Sequence, residues 1–359
     1  MTATAMIPLP PRTAEAPAAD TGGVPWLRPS PCLPDACVEP PVAVAGPVRR
    51  VLRLAAAALV VLAGLPLSVV ARAVGAARRG RIVAMWTRTL LRALGVRLDV
   101  RTGFAFVAGS PPYPALESAG GGEEAGRASG ARDGRGTLVV ANHVSWLDPL
   151  VVAATVRARP LAKREIGAWP MIRTLAAGAG ALFIDRERLS ALPEALGSVA
   201  GALRAGDTVV AFPEGTTWCG RGMGEFRPAV FQAALDADAA VRPVTLRYRE
   251  GDATSTRACY VGEDSLLASV LRVVATRRLV VEVTRFPEVR LAGAGRRRAQ
   301  RLALARLAEA YVRTGMADAP ERHAVARRET GSRPVLERRP RAAGEEAPAV
   351  FGSAHPGRA

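Results

Sequence analysis

Thr137-Leu138-Val139-Val140-Ala141-Asn142-His143-Val144-Ser145-Trp146-Leu147-Asp148-Pro149 joins an unbroken apolar run to a short turn that holds a histidine and a carboxylate. Leu138-Val139-Val140 reads as a short buried strand, and Pro149 suits the first turn of a helix. The segment therefore predicts a strand over 137–141, a turn, and a helix over 146–156. His143 and Asp148 are five positions apart, and residues on a regular helix turn about 100° each, so the two do not share a helical face. His143 belongs to the turn and Asp148 to the helix that follows.

The chain of 359 residues has three histidines, and His323 and His355 fall in an Arg/Pro-rich tail with no periodic apolar spacing. His143 is thus the one histidine expected in a folded core. Imidazole, with an ordinary pKa of about 6.5, accepts a proton near neutrality without prior perturbation. In an H-x4-D arrangement, Asp148 can accept a hydrogen bond from Nδ1 and stabilise the imidazolium that forms when Nε2 takes a proton from an attacking hydroxyl. Alone the pattern is weak, because a capping or core histidine is commoner. Three further segments change its weight: Gly180-Ala181-Leu182-Phe183-Ile184-Asp185-Arg186, Phe212-Pro213-Glu214-Gly215-Thr216-Thr217 and Val241-Arg242-Pro243-Val244. Glu214 follows the apolar run Thr208-Val209-Val210-Ala211, at the kind of strand end where open α/β sheets collect ligands. Its carboxylate can accept hydrogen bonds from a polyol, Pro213 restricts the loop, and Gly215 lets a substrate approach the backbone. Arg186 presents a guanidinium that grips phosphate oxygens bidentately, and Lys163 is a second cation of the same use. Phe183 and Ile184 are expected in the core of a strand.

In order and spacing the four segments resemble the glycerolipid acyltransferase family, in its 1-acylglycerol-3-phosphate and lysophospholipid acyltransferase branch, over roughly residues 82 to 290. The resemblance implies that family's fold and an O-acyltransferase activity. An acyl chain would pass from acyl-CoA or acyl-carrier protein to the free hydroxyl of a lysolipid, such as 1-acylglycerol-3-phosphate to give phosphatidate. It also implies that Arg186 and Lys163 meet the acceptor's phosphate, that Glu214, Gly215 and Thr216 bind substrate, and that no cofactor or metal is needed. Two positions depart from the family pattern. Thr217 stands where an arginine is frequent, which opens the acceptor to other lysolipids such as a lyso-ornithine lipid. Ala229, in Phe226-Arg227-Pro228-Ala229-Val230-Phe231, stands in a glycine position, so the backbone there must keep an ordinary conformation. A covalent route would fall to Ser145 or Cys219, neither of which sits in a G-x-S-x-G elbow. Amides near the start of the Asp148 helix are candidate oxyanion donors. No cysteine–histidine cluster has zinc spacing, and no G-x-G-x-x-G follows a strand.

Further strands are predicted at 97–100, 181–184, 208–212, 241–248 and 279–284. Helices are predicted at 169–176, 192–205, 228–234 and 263–274. That alternation argues for a layered α/β domain, a sheet flanked by helices, over 96–290, with a terminal helix at 291–316. Residues 1–48, 108–136 and 317–359 are rich in Pro, Gly, Ala and charge, and are expected as a disordered leader, insertion and tail.

Residues 49–95 are expected to form membrane-anchoring helices. The run 54–71 is uncharged and flanked by Arg49, Arg50 and Arg53 before it and Arg72, Arg78, Arg79 and Arg81 after it. Its ~27 Å falls short of a hydrocarbon core of about 30 Å. Paired with the amphipathic stretch 82–94, it suits a hairpin entering one leaflet from the cytoplasmic side, with a single span as the alternative. The net charge of +17 then meets anionic headgroups. Nucleic acid is disfavoured, since no motif interleaves the arginines with aromatics. A membrane-bound, lipid-binding scaffold without activity is the non-enzymatic reading. Cys32 and Cys37 fall in the leader, and with Cys219 and Cys259 are expected as free thiols in a reducing compartment.

Overall fold

The computed structural model describes residues 30–103, 134–164, 169–185, 188–291 and 296–317. At its centre β2 (Thr137–Ala141) lies between β5 (Val209–Ala211) and β6 (Ala240–Glu250), parallel to both. The sheet continues through β3 (Arg159–Lys163) and β4 (Leu182–Ile184) on one side, and through β8 (Leu279–Arg285) and β1 (Val96–Thr102) on the other. The order is β1-β8-β6-β2-β5-β3-β4, with β6 and β8 antiparallel and a two-residue β7 (Ala253–Thr254) folded back on β6. This is the expected layered α/β architecture.

Side-chain alternation along β2 explains why its sequence is apolar throughout. Val139 and Ala141 join a core with α3 (Ala76–Ala93), α4 (Asp148–Val156) and α8 (Leu266–Ala275), whereas Leu138 and Val140 join the opposite core with α6 (Leu192–Arg204), α7 (Ala229–Ala237) and α9 (Arg297–Met316). A strand covered on both faces has no polar face to display. Ser265 caps α8, its Oγ accepting from Ala268 N at 3.1 Å, so that helix begins later than the apolar spacing suggested. Ala229 opens α7 without a left-handed backbone angle, as alanine requires. The arginine-rich start of α9 is exposed, while Leu304, Ala308, Tyr311 and Val312 bury the helix.

Several expectations are revised. β3 was not anticipated, because Arg159-Pro160-Leu161-Ala162-Lys163 is short and mixed; pairing with β5 and β4 makes it a strand. Phe183, expected in the core, is 38% exposed on the short strand β4 at the end of the sheet. Residues 134–136 of the expected insertion are structured, and Gly136 N donates to Leu203 O at 2.7 Å; 104–133 lie outside the described residues, as do 1–29 and 318–359 with His323 and His355.

The end of the expected leader is structured. Residues 30–46 form a strap that includes α1 (Pro34–Cys37), and Ala45 N donates to Ala275 O while Arg277 N donates to Ala43 O. Glu39 N and Val42 N donate to Thr256 Oγ1 and Glu250 Oε2. Backbone and side-chain partners more than 200 residues away, invisible to composition, hold this segment down.

The expected anchoring segment 49–95 forms two helices joined by two residues, α3 and before it α2 (Pro47–Ala73), and α2 packs on α3, α5 (Pro170–Gly178) and α8. Its 27 residues rise about 40 Å, so it is long and apolar enough to cross a membrane. Its buried residues are Ala57, Gly64, Ser68 and Ala71, whereas Leu52, Leu59, Leu62, Val69 and Val70 are exposed. Small residues inward and large apolar ones outward reverse the pattern of a water-soluble helix.

Candidate active site

β2, β5, β3 and β4 all run parallel, so their C-terminal ends lie along one sheet edge. His143 follows β2, Glu214 follows β5, Lys163 ends β3, and Arg186 comes two residues after β4. Lys163 pairs in register with Ile184; its side chain, and Arg186 altogether, lie outside the described residues.

His143 Nδ1 is 2.8 Å from Asp148 Oδ2. The same oxygen accepts from the amides of Val144 at 2.6 Å and Ser145 at 2.8 Å, while Oδ1 accepts from Tyr248 Oη at 2.5 Å. Asp148 is fully buried, yet its carboxylate has four partners and sits in the first turn of α4, where the helix dipole favours an anion. The His143 ring stacks on Phe212, centroids 4.3 Å apart, and its side chain remains 17% exposed. An Nδ1–H given to the carboxylate leaves Nε2 as the basic nitrogen.

Glu214 occupies a different place from a carboxylate aimed at solvent. It is 3% exposed, and its two oxygens accept from His143 N at 2.6 Å and Gly224 N at 2.7 Å. Burial raises its pKa from 4.5 to about 8 against the opposing pull of those amides, with the Asp148 charge adding to the rise. Trp218 N donates to His143 O at 2.8 Å, so the loop after β5 grips the histidine's backbone twice. Gly215 turns with φ +78, and a Cβ there would come within 3.2 Å of the Arg227 side chain. Thr216 is half-buried in the same loop, and the Thr217 hydroxyl donates to Tyr260 O.

Three participants escaped the sequence reading. Tyr248 bonds Asp148 from β6, and burial together with the Asp148 charge raises its pKa well above the ordinary tyrosine value. Asn142 bridges β2 to β6, donating to Leu246 O at 2.9 Å and accepting from Leu246 N at 2.8 Å. Phe212 supplies the stacking face. Adjacency to the motif was the only signal for the last two, and Tyr248 had none. The amides of Val144, Ser145, Leu147 and Asp148 already have acceptors, so these four are not the free oxyanion donors expected there. Ser145 is fully buried with its Oγ accepting from Leu147 N, and Cys219 is buried, so neither candidate nucleophile faces a substrate.

Residues 124–247 match the family model described as Acyltransferase. Residues 124–247 thus resemble an acyltransferase domain. Among the relatives of this domain is a 1-acyl-sn-glycerol-3-phosphate acyltransferase of Neisseria gonorrhoeae, 35% identical over 148 residues, 41% of this chain and 58% of that protein. A lyso-ornithine lipid O-acyltransferase of Pseudomonas aeruginosa is 36% identical over 161 residues, 44% of this chain and 60% of that protein. These alignments span about three fifths of each relative's length. A longer match, at 29% identity, covers 77% of this chain and 93% of a lyso-ornithine lipid O-acyltransferase of Rhodobacter capsulatus. The chain also shares its fold with the crystal structure of the 1-acyl-sn-glycerophosphate (LPA) acyltransferase PlsC from Thermotoga maritima. The TM-score is 0.51 at 16% identity, over 75% of this chain and 93% of that one.

Proposed function

We propose that this protein is an O-acyltransferase that moves an acyl chain from acyl-CoA or acyl-carrier protein to the free hydroxyl of a lysolipid, 1-acylglycerol-3-phosphate in the first instance. The observation that carries this reading is a reachable histidine whose Nδ1 is held by a buried, fully partnered carboxylate, in a domain of the acyltransferase family. His143 Nε2 takes the proton of the acceptor hydroxyl; the oxygen attacks the thioester carbonyl, and the tetrahedral intermediate expels the thiolate, which recovers the proton from the imidazolium. Asp148 fixes the tautomer and offsets the imidazolium charge. Glu214, Gly215 and Thr216 shape the loop beside the histidine, and Arg186 and Lys163 hold the acceptor's phosphate.

The lysolipid acceptor is an amphiphile, which fits the exposed apolar face of α2. The α2–α3 hairpin enters one leaflet, leaves the catalytic domain on the cytoplasmic side, and is steadied on anionic headgroups by exposed Arg49, Arg72, Arg78 and Arg81.

A second acceptor, lyso-ornithine lipid, is favoured by the long Rhodobacter capsulatus alignment and by Thr217, which offers no cation where the family often has an arginine. Purified protein assayed with both thioesters against both lysolipids separates the two. His143→Ala should lower turnover about 10²- to 10⁴-fold in a folded protein. Arg186→Ala should raise the KM for a phosphate acceptor and leave a phosphate-free one unchanged. Turnover by folded His143→Ala close to wild type would end the mechanism, and an equal effect on both acceptors would remove Arg186 from phosphate recognition.

A further inference from the structure

All four cysteines of the chain are free thiols in the described residues, and three of them meet. Cys32 and Cys37 come from the strap, and Cys219 comes from the loop that follows Glu214. Their Sγ atoms all lie within 4.8 Å of one another. Cys32 and Cys219 are buried and Cys37 is half-buried. Packing explains a lone buried cysteine as a small apolar side chain. It does not explain three sulfurs turned on one another from segments that no local structure brings together, at positions where alanine would fill the space without a reactive group. Sequence spacing supplied at most the Cys32–Cys37 pair and no complete zinc pattern, because the third thiol is far along the chain from the other two.

The dimensions suit a metal ion. Around one tetrahedral zinc with bonds of about 2.3 Å, sulfur atoms stand roughly 3.8 Å apart, so small side-chain adjustments close the triangle. A disulfide, with its S–S bond of about 2.05 Å, would use two of the thiols and leave the third without a role. Cys32 and Cys37 are separated by four residues, an interval that structural zinc sites use. Thiolates select soft or borderline ions over magnesium and calcium. Three thiolates on a divalent ion leave one net negative charge, and the Arg221 guanidinium, ion-paired with Glu39 of the strap, lies within electrostatic reach of Cys219 and Cys37.

We propose that Cys32, Cys37 and Cys219 bind one zinc ion, with the fourth position open to solvent on the Cys37 side. Binding exchanges three S–H bonds for three zinc–thiolate bonds and releases three protons to solvent, with no change of oxidation state. The ion clips the strap to the loop next to the histidine, because Trp218, adjacent to Cys219, donates its amide to His143 O. The ion would thus stabilise a loop of the site without touching substrate.

The test uses the full chain in detergent micelles under reducing conditions, and none of its readouts depends on acyl transfer. Elemental analysis should find about one zinc per chain, and cobalt(II) added to chelator-treated protein should produce a thiolate-to-metal charge-transfer absorption. Cys37→Ala, at the least buried of the three positions, should lose most of the bound metal while keeping its circular dichroism, and Cys219→Ala should lose it too. Chelation of the wild-type protein should speed hydrogen exchange in 30–46 and 212–226, which controls for any variant that fails to fold. Protein that takes up neither ion, a disulfide between two of these cysteines in its place, or full zinc content in both variants would each overturn the proposal.

Discussion

Tyr248 and Asp148 are both buried and form a hydrogen bond from phenol to carboxylate. Removing the hydroxyl in Tyr248→Phe leaves Oδ1 without its donor, which should cost about 1–3 kcal/mol of stability. It should also lower kcat more than it raises either KM, since the residue positions Asp148 and meets no substrate. Thermal unfolding and steady-state kinetics check both parts; an unchanged kcat would make Tyr248 structural alone. Asp148→Asn should fold, because a tyrosine hydroxyl can accept as well as donate and so can face the new amide. Turnover should still fall, as the charge that favours imidazolium is gone. Glu214 carries a pH signature. Its folded pKa of about 8 stands above the ordinary 4.5, so the folded state binds the extra proton. The stability this confers is complete below about pH 4.5 and is lost as pH rises through 8. Wild type should therefore unfold at a temperature whose advantage over Glu214→Gln narrows from acid to neutral and mildly basic pH. A constant gap would show that the carboxyl titrates alike in the folded and unfolded chain.

At the level of elements, α2 and α5 touch through residues that barely have side chains. A Cβ placed on Gly178 would lie 2.4 Å from Ser68 Cβ and 2.6 Å from Ser68 Cα, so backbone would have to move. Gly178→Ala should cost about 1–3 kcal/mol by overpacking. Gly197, in α6, faces open space, and Gly197→Ala should be neutral or stabilise by up to about 1 kcal/mol through reduced chain entropy. Chemical denaturation of the two variants side by side makes the comparison; equal effects would mean that the α2–α5 contact is loose. Arg53 adds a polar tie, donating through Nη1 to Val274 O at 2.8 Å and Thr276 O at 2.7 Å at the end of α8. Truncating the chain before residue 77 would remove these ties together with the apolar face, so point substitutions separate anchoring from folding.

For the molecule as a whole, the exposed apolar residues of α2 and the arginines around it make a surface suited to a bilayer. Leu59→Glu with Val69→Glu puts two negative charges on positions 68% and 53% exposed, so folding stability should change by no more than about 0.5 kcal/mol per site. Sedimentation with anionic liposomes should fall several-fold. Raising salt should weaken the remaining binding, because the arginine contribution is screened within about 10 Å at 0.1 M. Binding that is untouched by the two glutamates would place the membrane contact on another face.

The local grammar of this chain was legible from residues alone. Thr137–Ala141 reads as a buried strand because β2 is covered on both faces, and an H-x4-D spacing forces histidine into the turn before α4. Those are consequences of period and backbone geometry over a few residues, and the sequence by itself determined them, along with the gathering of His143 and Glu214 at strand ends. Tertiary structure alone decided which partners complete the site. Tyr248 reaches Asp148 across 100 positions and Glu214 reaches the His143 amide across 71, and no periodicity spans such distances. The fate of Glu214, buried against amides, followed from where β5 lies beside β2; the ordering of 30–46 and the meeting of three cysteines followed from backbone hydrogen bonds to Thr256, Ala275 and their neighbours. Local pattern records what a segment buries, whereas the identity of what it is buried against depends on how the whole sheet is stacked.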